Sequence, residues 1–268
     1  MSLPGIAALF LLGSVTGILS GYLGIGGGII LVPVLTEIFR RQGIPLDNAM
    51  TAAFATSLTT AIFTTGSSAW QQWRQKNLIL AAVPWAAAGA IFGGQSGAWL
   101  GSSLDGSTLK LLFGVFLLLA AGYMLIEPKA NSTNEQVTLK HRFMLVIAGF
   151  GTGILAGLFG VGGGVLMVPL FIFLFHYPPG KVAGTSSAVA FPIALSAVLG
   201  YLLYGSARAW HGTSFVGVID LGFAIPVSAG TLLSAPFGAK LNRRLGGKTF
   251  KKVFAFFLMA VALRMILV

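Results

Sequence analysis

Uncharged apolar runs about as long as a bilayer is thick recur along this chain, and they leave few folds open to it. Leu78–Leu100, Phe143–Phe159 and Val182–Tyr204 carry no charged side chain. They approach or exceed the roughly 20 residues that a helix needs to cross a hydrocarbon core about 30 Å thick. Only 9% of the 268 residues are charged and 56% are hydrophobic, against about 25% charged in soluble domains. A soluble chain of this size has no core large enough to hide such runs. Backbone in lipid must satisfy its own hydrogen bonds, which leaves helices or a closed barrel. Long runs without period-2 alternation select helices. The chain is therefore expected to be an all-α polytopic protein of the cell membrane.

Eight spans are expected: Leu3–Phe39, Ala49–Trp70, Leu78–Leu100, Leu109–Ile126, Phe143–Phe175, Val182–Tyr204, Val216–Leu241 and Phe250–Val268. The N-terminus lacks the basic region and cleavage site of a signal peptide and is expected to be retained as the first span. Trp70, Trp73, Trp99 and Trp210 fall at span ends, as an interfacial belt requires.

Two of the spans contain glycine runs. "GYLGIGGGIILVP" occupies Gly21–Pro33 and "GLFGVGGGVLMVP" occupies Gly157–Pro169. They belong to longer matching stretches at an offset of 136 residues, Gly17 onto Gly153. Downstream, "ATSLTT" at Ala55–Thr60 matches "GTSSAV" at Gly184–Val189, and "GAWLGSSLDGSTLKLLFGVFLL" from Gly97 matches "GAKLNRRLGGKTFKKVFAFFLM" from Gly238. Three ordered matches point to duplication of a four-helix unit. The division is residues 1–126 as the first repeat, 127–142 as a polar linker and 143–268 as the second repeat. If each interrupted span crosses once, the repeats are parallel; a glycine stretch that doubles back would allow inverted repeats.

The glycines have more than one reading. Gly17/Gly21 and Gly153/Gly157 have the G-x-x-x-G spacing that lets membrane helices approach closely. Consecutive glycines at Gly26, Gly27 and Gly28, and at Gly162, Gly163 and Gly164, cover every face of a helix and invite an unwound segment. Irregular backbone at membrane depth is tolerated where protein or a water-filled cavity covers it. Such a break also exposes the N–H groups of the following half-helix, a site for anions. Paired discontinuous helices mark a transporter's central site. Gly24 and Gly160 would open the breaks, and Pro33 and Pro169 would remove a further backbone bond. Thr56, Ser57, Thr185, Ser186 and Ser187 offer hydroxyls to the same anion, with local bonding to helix carbonyls as the competing role. "GTGILA" at Gly151–Ala156 fits a loose dinucleotide pattern, but no βαβ context or following carboxylate accompanies it.

The remaining chemistry is sparse. The net charge is +11, but the cations sit between the apolar runs, which fits membrane topology better than nucleic acid. With every span crossing once, one side carries Arg40, Arg41, Lys110, Lys181, Lys240, Arg243, Arg244, Lys248, Lys251 and Lys252, and the other Arg74, Lys76, Lys129, Lys140, Arg142 and Arg208. This asymmetry places the first side in the cytoplasm and both termini outside. There is no cysteine, so thiol chemistry is excluded. His141, His176 and His211 have no metal-ligand spacing, and no nucleophile–base pair or phosphate loop is visible. No enzyme activity, cofactor or metal is expected. Glu37 should pair with Arg40, Arg264 should snorkel to the surface, and Asp220 should serve as an N-terminal helix charge.

The two glycine motifs, each followed by "ATS" or "GTS", and the "GAWLGSSL" and "GAKLNRRL" stretches resemble the TauE/SafE family of sulfite-exporter-like permeases over nearly the whole chain. The resemblance implies secondary transport of small, mostly sulfur-containing anions such as sulfite, thiosulfate and sulfonates, with protons as a candidate coupling ion. An anion channel and a non-transporting membrane scaffold are the alternatives. The two halves differ at Ala55 against Gly184 and at Phe54 against Ala183, so they need not contribute equally to a site.

Overall fold

The computed structural model describes residues 3–23, 27–125, 137–205, 214–245 and 248–267. Within them the chain is helical apart from the connections and one short hairpin. The helices are α1 (Leu3–Leu23), α2 (Gly28–Arg41), α3 (Leu46–Arg74), α4 (Val83–Ser103), α5 (Gly106–Leu125), α6 (Leu139–Phe159), α7 (Gly164–Phe173), α8 (Pro179–Tyr204), α9 (Leu221–Leu245) and α10 (Lys248–Leu267). Strands β1 (Phe215–Val216) and β2 (Ile219–Asp220) form an antiparallel hairpin ahead of α9. The span expected from Val216 thus starts as a hairpin, turned at Gly217 with φ +61°. By length and composition α5, α6 and α8 can each cross a membrane.

Both glycine runs interrupt helix, and the second interruption turns the chain back. The His141 ring in the first turn of α6 lies 6.1 Å from the Phe175 ring just past α7. The two elements therefore begin and end at the same face of the molecule. This corrects the expectation that Phe143–Phe175 crosses once. At 1.5 Å per residue, the 21 residues of α6 rise about 31 Å and the 10 residues of α7 about 15 Å. α7 is thus a half-length helix that returns from mid-depth. In the first half, Leu9 near the start of α1 and Phe39 near the end of α2 join one core cluster with Phe223 and Val227 of α9. The α1–α2 pair reverses in the same way.

These reversals sort the helix ends onto two faces. The N-terminal face holds the starts of α1, α3, α5 and α9 and the ends of α2 and α10. There the Phe39 and Phe223 rings are 5.4 Å apart, Asp47 Oδ1 accepts the Gly106 N–H at 2.7 Å, and Arg264 lies 3.7 Å from Glu37. Glu37 takes its closer partner at Arg41, 2.9 Å away, one position beyond the expected Arg40. The opposite face, here the linker face, holds the starts of α4, α6 and α8 and the end of α3. There Arg142 sits 5.2 Å over the Trp85 ring, and Phe171, Phe175, Tyr177 and Val182 share a core cluster.

The most extensive helix contacts join α4 to α6 and α1 to α9. Small residues make both seams. Gly89, Gly93 and Gly97 bring α4 against the carbonyls of Val146, Phe150 and Ile154, while Gly149, Gly153 and Gly157 reciprocate against Ala86, Ala90 and Gly94. In α1, Gly13 meets Val227 and Gly17 meets Thr231 and Ser234. Without a side chain, backbones approach closely enough for dispersion and Cα–H···O contacts, which drive association in lipid. In both seams the residue numbers of the two partners rise together, so each pair is parallel. α3 against α8 is antiparallel: Gly66 packs on Phe191, and Gly184 packs on Gln72 and Asn77. Trp70, Trp73 and Trp99 are exposed at helix ends; Trp210 lies outside the described residues.

Candidate functional site

The second break is built from left-handed backbone. Gly160 caps α6 at φ +69°, Gly162 has φ +37°, and Gly163 caps α7 at φ +72°. An L-residue with a Cβ pays roughly 1–2 kcal/mol to adopt the left-handed region, so the run supplies what the turn requires. Gly163 accepts the first bonds of α7, from Leu166 N–H at 3.3 Å and Met167 N–H at 3.1 Å. The first break resembles it only in part. Gly27 precedes α2 in the right-handed region, φ −73°, and accepts the N–H groups of Ile30 and Leu31. The amides of Gly28 and Ile29 thus stand ahead of the first bonded turn, where a helix concentrates its positive end. Gly24 and Gly26 lie outside the described residues. Pro33 and Pro169 fall within continuous α2 and α7.

The two breaks touch. A Cβ added to Gly28 would lie 2.5 Å from the Gly160 carbonyl oxygen, 2.8 Å from Val161 Cα and 3.1 Å from Ser57 Oγ. Ser57 of α3 donates its hydroxyl to that Gly160 carbonyl at 2.8 Å. The Gly160–Gly163 strip runs along the middle of α3, against Phe54 and Ala61, and Gly163 rests on Ile193 of α8. Ser186 of α8 donates to the Gly164 carbonyl at 3.2 Å. One serine from each central helix therefore holds backbone of the second break. All these groups are buried except Gly164, which is half-buried; the Gly160 carbonyl, past the end of α6 and without a helix partner, is met by a side chain.

The other hydroxyls are placed differently. Thr56 Oγ1 accepts the Asp220 N–H at 3.1 Å, and Thr185 Oγ1 accepts the Ile79 N–H at 3.0 Å while donating to Lys181 O at 2.8 Å. Ser187 is not at a break: it donates to Ala183 O at 2.9 Å and lies 3.0 Å from Ser68 of α3. Asp220 accepts the Phe223 N–H at 3.3 Å and acts as an N-terminal cap, as its position suggested.

Two features escaped the sequence reading. Tyr201 is fully buried and aims its hydroxyl at the carbonyls of Gly157 and Leu158, 3.1 and 3.4 Å away, tying the end of α6 to α8. Two tyrosines, Tyr201 and Tyr204, near the end of an apolar run were the available signal, and it does not say which of them is buried. The second feature is a cleft of about 550 Å³ on the linker face, lined by Trp73, Arg74, Lys76, Leu78 and Leu80. Its two cations, Arg74 and Lys76, stand just ahead of Ile79 in the chain. Among the described residues, no group of three or more His, Asp or Glu is placed to hold a metal ion.

Comparison with known proteins places this geometry in context. A family model described as sulfite exporter TauE/SafE matches residues 9–265. A probable membrane transporter protein of Methanocaldococcus jannaschii is 28% identical over 260 residues, covering 97% of this chain and 94% of its own. A second, from Bacillus subtilis, is 26% identical over 274 residues, with 96% of each chain covered. A third, from Haemophilus influenzae, is 28% identical over 265 residues, with 98% of each covered. No solved structure matches. Broken helices inside a helical membrane fold and a match along almost the whole chain lead to one statement: this chain belongs to the TauE/SafE sulfite exporter family of membrane transporters.

Proposed function

We propose that the protein is a secondary transporter of small anions, sulfur-containing ones such as sulfite, thiosulfate or sulfonates, whose substrate passes where the two glycine breaks meet. The observation that carries this reading is the contact of Gly28 with Gly160 and Val161 at mid-depth, bridged by Ser57. Two interruptions far apart in sequence share one spot between the two central helices. The amides at the start of α2 and the hydroxyls of Ser57 and Ser186 supply donors for an anion once the contact opens. The cationic cleft beside Arg74 and Lys76 would raise the local anion concentration.

The two halves are read as inverted rather than parallel repeats of five helices each. In support, α1–α2 starts and ends at the N-terminal face and α6–α7 at the linker face. The symmetry-equivalent helices α3 and α8 cross antiparallel, and the seam of α1 with α9 has its counterpart in α6 with α4. This regroups the cations. Arg74, Lys76, Lys140, Arg142 and Lys181 now share the linker face with Lys240, Arg243, Arg244, Lys248, Lys251 and Lys252, which the sequence places at the end of α9 and the start of α10. Among the described residues only Arg40, Arg41, Lys110 and Arg264 fall toward the other face. By the positive-inside rule this excess supports a cytoplasmic linker face, with both termini outside.

Flux in proteoliposomes tests the function. Saturable uptake of sulfite, thiosulfate or sulfoacetate that shows counterflow is expected, with a response to an imposed pH gradient if protons are the coupling ion. Non-saturating conductance would make the protein a channel, and absence of flux and of any ligand-induced thermal shift across that panel would leave a scaffold.

A further inference from the structure

The offset that carries "ATSLTT" onto "GTSSAV" carries Thr56 onto Thr185, and the offset that carries Gly97 onto Gly238 carries Ile79 onto Asp220. The structure joins these four positions crosswise. Thr56 of α3 holds the main-chain N–H of Asp220, just ahead of α9, and Thr185 of α8 holds that of Ile79, just ahead of α4. In each case a hydroxyl on the central helix of one half grips the backbone leading into the next long helix of the other half. All four residues are buried, none more than 3% exposed. The two grips lie at opposite faces. Asp220 adjoins Phe223 and the Phe39 cluster of the N-terminal face, whereas Ile79 sits between Leu78 and Leu80 of the cationic cleft on the linker face.

We propose that these two hydrogen bonds are paired gates: Thr56–Asp220 closes the path from the N-terminal face, and Thr185–Ile79 closes it from the linker face. The proposal rests on the transporter reading above and deepens it. In this conformation both bonds are made and the breaks between them are in contact, an occluded arrangement. Opening one side means releasing one backbone segment from its threonine while the other threonine keeps its own. Each bond is a single buried contact, strong enough to bias a population and weak enough to exchange during turnover. Thr56 and Thr185 are thus positioning residues, one step removed from the serines and amides nearest the anion. Leu78 and Leu80, the chain neighbours of Ile79, line the cleft of about 550 Å³, so release of Ile79 moves a wall of that cleft.

The absence of cysteine makes the test direct. Ala61 of α3, buried at mid-depth against Gly162, is replaced by cysteine in the full chain. Labelling with a membrane-impermeant maleimide is then followed in right-side-out and inside-out vesicles. Thr185→Val is expected to raise labelling from the linker side about threefold, the worth of one hydrogen bond inside a membrane, and to leave the other side unchanged. Thr56→Val is expected to do the reverse. Thr56→Ser and Thr185→Ser keep the oxygen and are expected to label as the parent does. Thr→Ala replaces Thr→Val wherever the valine variant loses its monodisperse peak in detergent. Labelling that rises on the same side for both variants, on both sides, or on neither overturns the gates, as does a serine variant that behaves like valine. Anion flux measured in parallel on the cysteine-free parent and on the threonine variants without the added cysteine separates the two readings. Side-specific labelling without flux keeps the gates and sinks the substrate assignment, and flux without side-specific labelling does the opposite.

Discussion

At Gly163 and Gly27 the same residue type, at equivalent places in two matching motifs, does different work. Gly163 sits at φ +72° with Ile193 Cδ1 2.6 Å from where a Cβ would be. Gly27 is right-handed, and the nearest atom to its absent Cβ is Leu31 Cδ1 at an ordinary 3.6 Å. Gly163→Ala is therefore expected to destabilise the protein by about 1–2 kcal/mol from backbone strain, with more from the clash. Gly27→Ala is expected to cost less, because its backbone is already right-handed and its absent Cβ meets no close atom, leaving only the preference of an N-cap for glycine over alanine. Thermal unfolding of the two variants in detergent checks this, and equal melting temperatures would contradict it. A list of motif glycines does not distinguish them, since φ belongs to the folded chain. The serines make the same point. Their hydroxyls were legible as candidates, but only the folded contacts separate Ser57 and Ser186, which hold break carbonyls, from Ser187, which does not.

Helices in lipid gain little by burying apolar surface against one another, so their seams depend on how closely backbones approach. α6 offers a controlled comparison within one turn. Gly153 is buried, with Ala90 O at 2.6 Å and Gly94 N at 2.9 Å from an added Cβ, whereas Gly151 is exposed with nothing within 4 Å. Gly153→Ala is expected to push α4 from α6 and lower the melting temperature. Gly151→Ala is expected to be neutral or to stabilise by up to about 1 kcal/mol through helix propensity. The sequence reading assigned Gly153 and Gly157 to helix contact from their spacing, and the seam bears that out. Which helix they would meet was not legible, because small-residue spacing specifies a face and no partner. The same limit applies to the breaks: the end of α6 at Phe159 and the start of α7 at Gly164 bracket the glycine run, yet the run itself is compatible with a kink or a reversal.

At the scale of the whole molecule the reversal changes which loops share a face, and that is measurable. Gln42 and Gln75, in two connections, and Gly180, in the first turn of α8, are exposed. Single cysteines at Gln75 and Gly180 are expected to react with an impermeant reagent from the same side, and one at Gln42 from the opposite side. If the interrupted helices crossed once, Gly180 would react together with Gln42, and that result would overturn the folded-back topology. What the sequence determined by itself is the environment and the punctuation. Apolar runs this long require lipid, and glycines this dense must interrupt helix, because both follow from the chemistry of residues near one another along the chain. What only the tertiary structure decided is direction and partnership: that α7 returns, that α4 joins α6, and that Thr56 and Thr185 reach across to the other half. The physical reason is that a left-handed glycine permits a turn without choosing where it leads. The choice is made by close contacts among residues more than fifty, and often more than a hundred, positions apart, and no local pattern records them.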